Sequence, residues 1–520
     1  MEAESGFRLQ DVGRRVGAVD LLLIRVDASS EDTPLSTYEA AAGPRPFWLA
    51  GTAVTGPDSL KVTNPYNGGL VARVSVPDDE QVEQAVIAAA EAAKVTEALP
   101  AHVRAAALDH VSRRLEERLD EITALITAEN GKPAKWARAE AGRAVSVFRW
   151  AAEEARRFNG EIQRLDTDAA ATGRTAIVRR FSRGPVLGIA PFNFPLNLVA
   201  HKVAPAIAVG SPIILKPAPG TPLSALLLGD ILAETDLPAG SWSVLPVPND
   251  RMSALTADPR LPVISFTGSG PVGAMIEEAV PHKHVTLELG GNAAAVVLAD
   301  YATEEQLDWA ASRIAAFANY QGGQSCISVQ RVVVDRAVHD RLLAKLVDAV
   351  AAQRTGDPSD PATDVGPLIT EAAARRVEAW VDEAVAAGAK VLTGGQRDGT
   401  AYAPTVLVDA PKDSKVVREE VFGPVLVVQP VDGTDEAFAT VNDSDFGLQV
   451  GLFTNDLKAA FRAHRELEVG GVIVGDAPSY RADQMPYGGV KGSGVGREGV
   501  KYAMEDYTYE RVLVLTGIDL

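Results

Sequence analysis

The chain has 520 residues, 46% hydrophobic and 23% charged, with 69 acidic side chains against 50 basic ones and a formal net charge of −19. That length suits about two to four domains with ample core, and the acidic balance argues against nucleic acid or an anionic membrane as a partner, since both draw on clustered positive charge. No apolar run reaches the roughly 18 residues of a membrane-spanning helix, and the single cysteine, Cys326, excludes an intramolecular disulfide, cannot supply a zinc-finger or iron–sulfur ligand set, and fits a reducing cytoplasm.

Residues 1–50 differ from the rest. They carry mixed charge, then Ser29-Ser30-Glu31-Asp32-Thr33-Pro34 and Gly43-Pro44-Arg45-Pro46, and read as an extension, with the main body starting near Phe47. The short apolar stretch Leu21-Leu22-Leu23-Ile24 lies between Asp20 and Arg25 and does not read as a signal peptide. From Asp78 the pattern is helical. Asp78 and Gln81 form a candidate capping box, and Val82, Val86, Ala89, Ala90 and Ala93 fall on one face. Alanine-rich helices continue to about Phe158, broken near Pro100 and at Gly131-Lys132-Pro133. Thr175 to Phe181 is charged and β-favouring, the material of an extended hairpin.

From Gly184 short apolar strands alternate with helices: Pro185–Ala190, Pro212–Leu215, Trp242–Leu245, Val263–Phe266 and His284–Leu289. Such alternation implies a parallel, doubly wound sheet. A second alternating set runs from Ala294 to about residue 475, through Val332–Val334, Val391-Leu392, Val425–Val428 and Gly471–Val474. The tail, Tyr507 to Leu515, reads as a strand that needs a partner from another segment or another subunit.

Five places carry candidate chemistry. Cys326 follows Gln321-Gly322-Gly323-Gln324-Ser325, a poor core strand but a suitable loop for bringing backbone close to a ligand. A lone cysteine is either small buried filler, a surface accident or a nucleophile. Gly268-Ser269-Gly270-Pro271-Val272-Gly273 fits G-x-G-x-x-G between a strand and a helix, the context of a dinucleotide site. Glu288 stands at a strand end before Gly290-Gly291 and reads as a solvated residue, a ribose binder or a general base. Lys216 ends a strand at the edge where parallel sheets bind ligands, or is simply solvated there. In Pro191-Phe192-Asn193-Phe194-Pro195 a stiff turn holds one amide, as a turn former or as an oxyanion donor. Arg418-Glu419-Glu420-Val421-Phe422, alone, is a solvated turn.

Taken together and in order, these segments resemble the aldehyde dehydrogenase superfamily over roughly residues 50–520. The matching runs are Pro191–Pro195, Leu215-Lys216-Pro217-Ala218, Phe266–Ser269, Leu287–Gly291, Gly323–Cys326, Glu419–Val425 and Pro486–Gly494. The resemblance implies two doubly wound α/β domains plus a small β oligomerisation element. The Rossmann-like NAD(P)-binding domain would take residues 51–162 and 184–290, the catalytic domain 291–490, and the bridging element 163–183 and 505–520.

It also implies roles. Cys326 would be the nucleophile, passing through a hemithioacetal and a thioester. Asn193 would bind the oxyanion, and Glu288 would be the general base that releases the acid. Lys202 and Glu498 match a proton relay. Phe192, Lys216, Gly268, Ser269, Leu289, Glu420 and Phe422 would hold NAD or NADP. Pro219 stands where NAD-preferring members place a ribose-binding glutamate, so NADP use is expected to be open. Asn292 stands where a lysine commonly follows Glu-Leu-Gly-Gly. The expected partners are a small aldehyde and further copies of the chain, as a homodimer or homotetramer. The C-terminal motif and Cys326-Ile327-Ser328-Val329 resemble members acting on small polar aldehydes such as lactaldehyde and succinate semialdehyde. Two alternatives are a CoA-acylating relative, which generally lacks the glutamate base, and a non-catalytic protein on the same fold.

Overall fold

A computed structural model describes residues 43–518. Two large, mainly parallel sheets organise it, with helices on their faces. The first has eight strands in the spatial order Thr52–Val54, Phe47–Leu49, Trp242–Val244, Ile213–Lys216, Val186–Ile189, Val263–Thr267, His284–Glu288 and Gly494–Val495. Its five central strands are parallel, and the outer ones run antiparallel. The parallel part of this sheet starts in the middle, at Val186–Ile189, builds outward one way, then returns to lay Val263–Thr267 on the other side. The strand order therefore reverses between these two strands. In doubly wound sheets ligands bind at such a reversal, beyond the carboxyl ends of the strands.

The second sheet has seven strands in the order Lys390–Thr393, Thr405–Val408, Val425–Val431, Arg331–Asp335, Ala294–Val297, Gln449–Phe453 and Gly471–Val474. Only its first pair is antiparallel. Its core strands are continuous apolar runs, Val332-Val333-Val334 and Ala294–Val297, as expected of strands covered on both faces. This is the two-sheet α/β architecture the sequence implies.

The β-favouring stretch is not a self-contained hairpin. Arg174–Ser182 is the middle strand of a third sheet, with Glu161–Arg164 on one side and the tail strand Thr508–Thr516 on the other. The tail thus finds its partner within the chain, over nine consecutive residue pairs. Two boundaries shift. Phe47–Leu49 lies in the first sheet with Phe47 fully buried, so the body reaches into the span 1–50; residues 1–42 of that span lie outside the described residues. Gly494–Val495 rejoins the first sheet beside Glu288, beyond the stretch 291–490.

The helix Asp79–Ala98 carries both capping-box bonds, Gln81 N–H to Asp78 Oδ1 at 2.8 Å and Asp78 N–H to Gln81 Oε1 at 3.0 Å. Its buried face is Ala85, Val86, Ala89, Ala92 and Thr96, whereas Val82, Ala90 and Ala93 are half-buried. Alanine, small and indifferent to exposure, marks a helix face poorly, which is why the expected stripe is rotated. Among the described residues no helix is long and apolar enough to cross a membrane.

Candidate active site

The turn Pro191–Pro195 leaves the carboxyl end of Val186–Ile189, on one side of the strand reversal, and Gly268-Ser269 leaves Val263–Thr267 on the other. The turn is held from beneath by the helices before it. Asn130 Nδ2 donates to Phe192 O at 2.8 Å, and Lys132 Nζ donates to Asn193 O at 2.9 Å. Glu140 Oε1 accepts the N–H groups of Leu196 and Asn197 at 2.9 and 3.1 Å, satisfying donors left free at the start of the helix Asn197–Val209. Lys132 and Glu140 are themselves an ion pair, buried beneath the turn, with Lys132 4.0 Å from the centre of the Phe194 ring. The Asn193 side chain is therefore preset. One of its two N–H donors is used, reaching Gln324 O at 2.9 Å across to the cysteine loop.

That loop is built by left-handed backbone. Gln321, Gly322 and Gly323 have φ of 57°, 61° and 70°. A Cβ on Gly323 would lie 2.1 Å from Gly423 O, so both its conformation and the close backbone approach require glycine. Gln324 fastens the loop by accepting from Ile369 N–H at 2.8 Å and donating to Gln321 O at 2.9 Å. Cys326 follows, partly buried, with Sγ 3.0 Å from Tyr487 Oη. Burial pushes the thiol up to about 12, and the nearby Glu420 and Glu288 charges add to this.

Glu288 is buried at 3% exposure, and neither carboxylate oxygen has a hydrogen-bond partner in the protein. Burial first, then repulsion from Glu498, raises its affinity for a proton well above the ordinary carboxylate range. Glu498 behaves oppositely. Burial works against its charge, but Lys202 and Arg481 outweigh it and hold it ionised. Lys202 Nζ donates to Ser265, Thr267 and Glu498 at 3.1, 2.7 and 3.2 Å, and Arg481 reaches the other Glu498 oxygen at 3.1 Å. Burial alone pulls Lys202 towards neutrality, and Glu498 pulls it back; three oxygen acceptors around Nζ favour the ammonium. So the structure joins Lys202 to Glu498, and places Glu288 and Cys326 within each other's field.

The remaining residues form a second group. Lys216, buried at the end of its strand, donates to Asn249 Oδ1 at 2.5 Å, and burial lowers it to about 8. Ser269 precedes the ten-residue helix Gly270–Ala279 and makes no side-chain cap, leaving first-turn N–H groups free for an anion. Gly268 passes so close to the Phe266 ring that a Cβ would meet it at 2.5 Å, and the Leu289 side chain packs against Gly273. Glu420 Oε1 accepts from Gly291 N–H at 3.0 Å, and burial raises it to about 7. Phe422, with φ of 47°, sets its ring edge-on to Phe192 at 5.9 Å. A buried amine, a free helix start and one ring come from the first sheet, and a carboxylate and a second ring come from the segment before Val425–Val431 of the second, a set of groups suited to phosphates, ribose hydroxyls and an aromatic ring.

Asn292 has a structural explanation. Its Nδ2 donates to Val417 O at 3.1 Å, and its Oδ1 accepts from Ser444 Oγ at 2.9 Å, so it ties the segment before Glu420 to the second sheet. Sequence reasoning overlooked Tyr487, Arg481 and the Lys132–Glu140 pair. Tyr487 lies inside the run Pro486–Gly494, where nothing local marks its hydroxyl. Arg481, in Tyr480-Arg481-Ala482-Asp483, carries no local signal at all.

A sequence profile of the aldehyde dehydrogenase family matches residues 52–513. The chain is 41% identical to a 3-sulfolactaldehyde dehydrogenase of Priestia aryabhattai over 470 residues, covering 90% of this chain and 97% of the relative. Among solved structures it resembles aldehyde dehydrogenase 21 of Physcomitrella patens in complex with the reaction product succinate, with 44% identity, a TM-score of 0.89, and coverage of 92% and 99% of the two chains. It also resembles an NADP-dependent glyceraldehyde-3-phosphate dehydrogenase of Bacillus halodurans complexed with NADP, with 34% identity, a TM-score of 0.87, and coverage of 92% and 100%.

His201, next to Lys202, is completely buried 3.5 Å from Asp483, which also accepts from Arg143 at 2.9 and 3.1 Å. Burial, then repulsion from Arg481, lowers the imidazole from 6.5 to about 4. The folded value lies below the unfolded one, so the unfolded chain takes up the proton first as pH falls. The folded state is therefore fully favoured above about 6.5 and loses stability as pH falls towards about 4. Thermal unfolding across that window should show a shallower acid decline for His201→Gln than for the unsubstituted protein; parallel declines would show that His201 does not contribute.

Proposed function

The chain belongs to the aldehyde dehydrogenase family, NAD(P)-dependent oxidoreductases, and from that premise we propose that its chemistry runs through Cys326. The Sγ thiolate attacks the aldehyde carbon, a C–S bond forms, and the carbonyl oxygen becomes an oxyanion. The free N–H of the Asn193 amide and the Cys326 backbone N–H receive that charge; losing one such donor typically costs about 3–4 kcal/mol. Lys216, Ser269 and Glu420 would hold NAD(P)+, which would supply the hydride acceptor, and with the hydride removed from the hemithioacetal carbon an acyl group remains on Sγ. Glu288 then takes a proton from water, the resulting hydroxide adds to the thioester, and Sγ departs as the acid forms. The observation that carries this reading is the buried, unpartnered Glu288 carboxylate within electrostatic reach of the only thiol. A proton-hungry carboxylate with no internal partner is suited to taking a proton from water. It also argues against acyl transfer to CoA, which needs no such base. Lys202 and Glu498 offer the proton a path onward through Thr267.

Cys326→Ala is expected to abolish turnover while leaving cofactor binding close to normal. Glu288→Gln is expected to give a burst of reduced cofactor followed by slow steady turnover. Persistent turnover in the first variant would remove the nucleophile assignment, and an unchanged steady rate in the second would remove the base.

The proposed substrate is a small aldehyde with an anionic group at its far end. Two similar proteins act on a sulfonated aldehyde or yield succinate. Here the Arg481 side chain is 4% exposed, donates to Glu498 alone, and keeps a buried Nε without a partner. NADP is the proposed preferred cofactor. Pro219 places no carboxylate against a 2′-phosphate, and Lys216 supplies a neighbouring amine. A kinetic scan with NAD and NADP, with and without CoA, tests both. Succinate semialdehyde should exceed a neutral aldehyde of equal length by about tenfold or more in kcat/KM, the scale of a charged hydrogen bond. Equal efficiencies would remove the anionic substrate, and strict CoA dependence would favour the acylating reading.

A homodimer or homotetramer is proposed from the third sheet. Thr508–Thr516 is its edge strand, and Val512, Leu513 and Val514 are exposed on it. Exposed apolar strand edges of this kind are usually covered. The mass in solution by light scattering should be a multiple of the chain; a monomer at micromolar concentration would overturn this. A reactive thiol also fits a cytoplasmic site of action.

A further inference from the structure

Tyr487 is fixed more firmly than a pocket-lining residue needs to be. Its backbone exchanges both hydrogen bonds with Glu498, N–H to O at 3.0 Å and O from N–H at 2.6 Å. Its ring packs with Ile327, Leu448 and Cys326 at 3% exposure. The Arg481 guanidinium lies 3.8 Å from the ring centre while its Nη2 is bound to Glu498. Backbone, ring face and counter-charge thus all come from one cluster, and the only polar atom of the side chain is aimed at Sγ, 3.0 Å away.

Resting on the reading of Cys326 as nucleophile, we propose that Tyr487 is a further catalytic residue, whose hydroxyl donates a hydrogen bond to the Cys326 thiolate. This bond stabilises the anion before attack and holds Sγ in one position. It is given up as Sγ bonds to the aldehyde carbon. The groups facing the thiol make such a donor necessary. Glu420 and Glu288 oppose a negative Sγ, and Arg481 favours it. Tyr487 faces Cys326, Glu288 and Arg481, and burial together with the neighbouring thiol raises its phenol well above its ordinary value, which favours the protonated, donating form. A second, half-buried phenol lies beside the same loop. Tyr320 Oη is 2.6 Å from Ser325 Oγ and makes no bond to Sγ.

Because the chain holds one cysteine, alkylation by iodoacetamide reports on Cys326 without ambiguity. In the full-length enzyme, Tyr487→Phe should raise the pH midpoint of alkylation by about one unit and slow single-turnover hydride transfer at neutral pH about tenfold, the scale of a lost hydrogen bond to a charged group. The two proteins should converge at high pH, with cofactor affinity unchanged. Tyr320→Phe, which keeps the phenol on Sγ, should leave the midpoint where it is. Coincident midpoints for Tyr487→Phe and the unsubstituted enzyme would overturn the role of Tyr487 alone, and so would an equal shift in Tyr320→Phe. Full turnover after complete alkylation would overturn the nucleophile reading and this proposal with it.

Discussion

The Glu140 carboxylate, buried between the helix Ala134–Arg157 and the start of Asn197–Val209, is the contact on which the site geometry depends. It accepts two backbone N–H groups and the Lys132 ammonium, and Lys132 in turn donates to Asn193 O. Such a pair contributes little net stability, because desolvating two ions offsets most of their attraction. Removing one partner, however, typically costs about 3–5 kcal/mol, since the other charge is left buried and alone. The pair is therefore best understood through what it positions. It sets the turn bearing Asn193 and the first turn of the helix that carries His201 and Lys202. A preset amide donates to a developing oxyanion without first reorganising, which is where such donors act most strongly.

Buried charge recurs around the site with deliberate asymmetry. Glu288 and Glu498 are both sequestered from water, yet one binds protons avidly and the other hardly at all. The difference lies in their partners. Glu498 has Lys202, Thr267 and Arg481 on its two oxygens, whereas Glu288 has none. Two carboxylates whose surroundings push their proton affinities apart are suited to different tasks. The ionised one organises cations, and the unpartnered one is left available for the base role proposed for it.

The strands and their order were largely legible in the sequence, because buried parallel strands are short apolar runs bounded by breakers. The Gly-x-Gly helix start and the strand-end positions of Lys216 and Glu288 follow from that rhythm. The face of an alanine-rich helix was less legible, as in Asp79–Ala98, where alanine marks neither side. Cys326 could be singled out, but local spacing left its role open, and for Glu288 it left a solvated residue, a ribose binder and a general base side by side. What local reasoning could not reach are contacts between distant segments. Arg481 meets Glu498 and Tyr487 meets Cys326 only because the chain from Ser479 to Glu498 folds back onto the body, and Glu140 meets Leu196 only because the helix Ala134–Arg157 packs on Asn197–Val209. No periodicity announces such a meeting.

Gln330 shows why the second sheet matters to a site whose turns come from the first. Four residues beyond Cys326, it donates to Val416 O and Glu419 O at 3.0 and 2.7 Å and accepts from Val421 N–H at 2.9 Å. It thus brackets Glu420 on both sides and fixes the backbone just before Phe422, whose positive φ is unusual for a bulky residue. Left-handed conformations of this kind persist only where the surroundings over-determine them, at a cost of about 1–3 kcal/mol each. Here the strain aims one ring at Phe192, across the gap between the sheets. The cysteine loop and the Glu420 segment are consequently one rigid piece, and the spacing between thiol and cofactor platform is set within the second sheet.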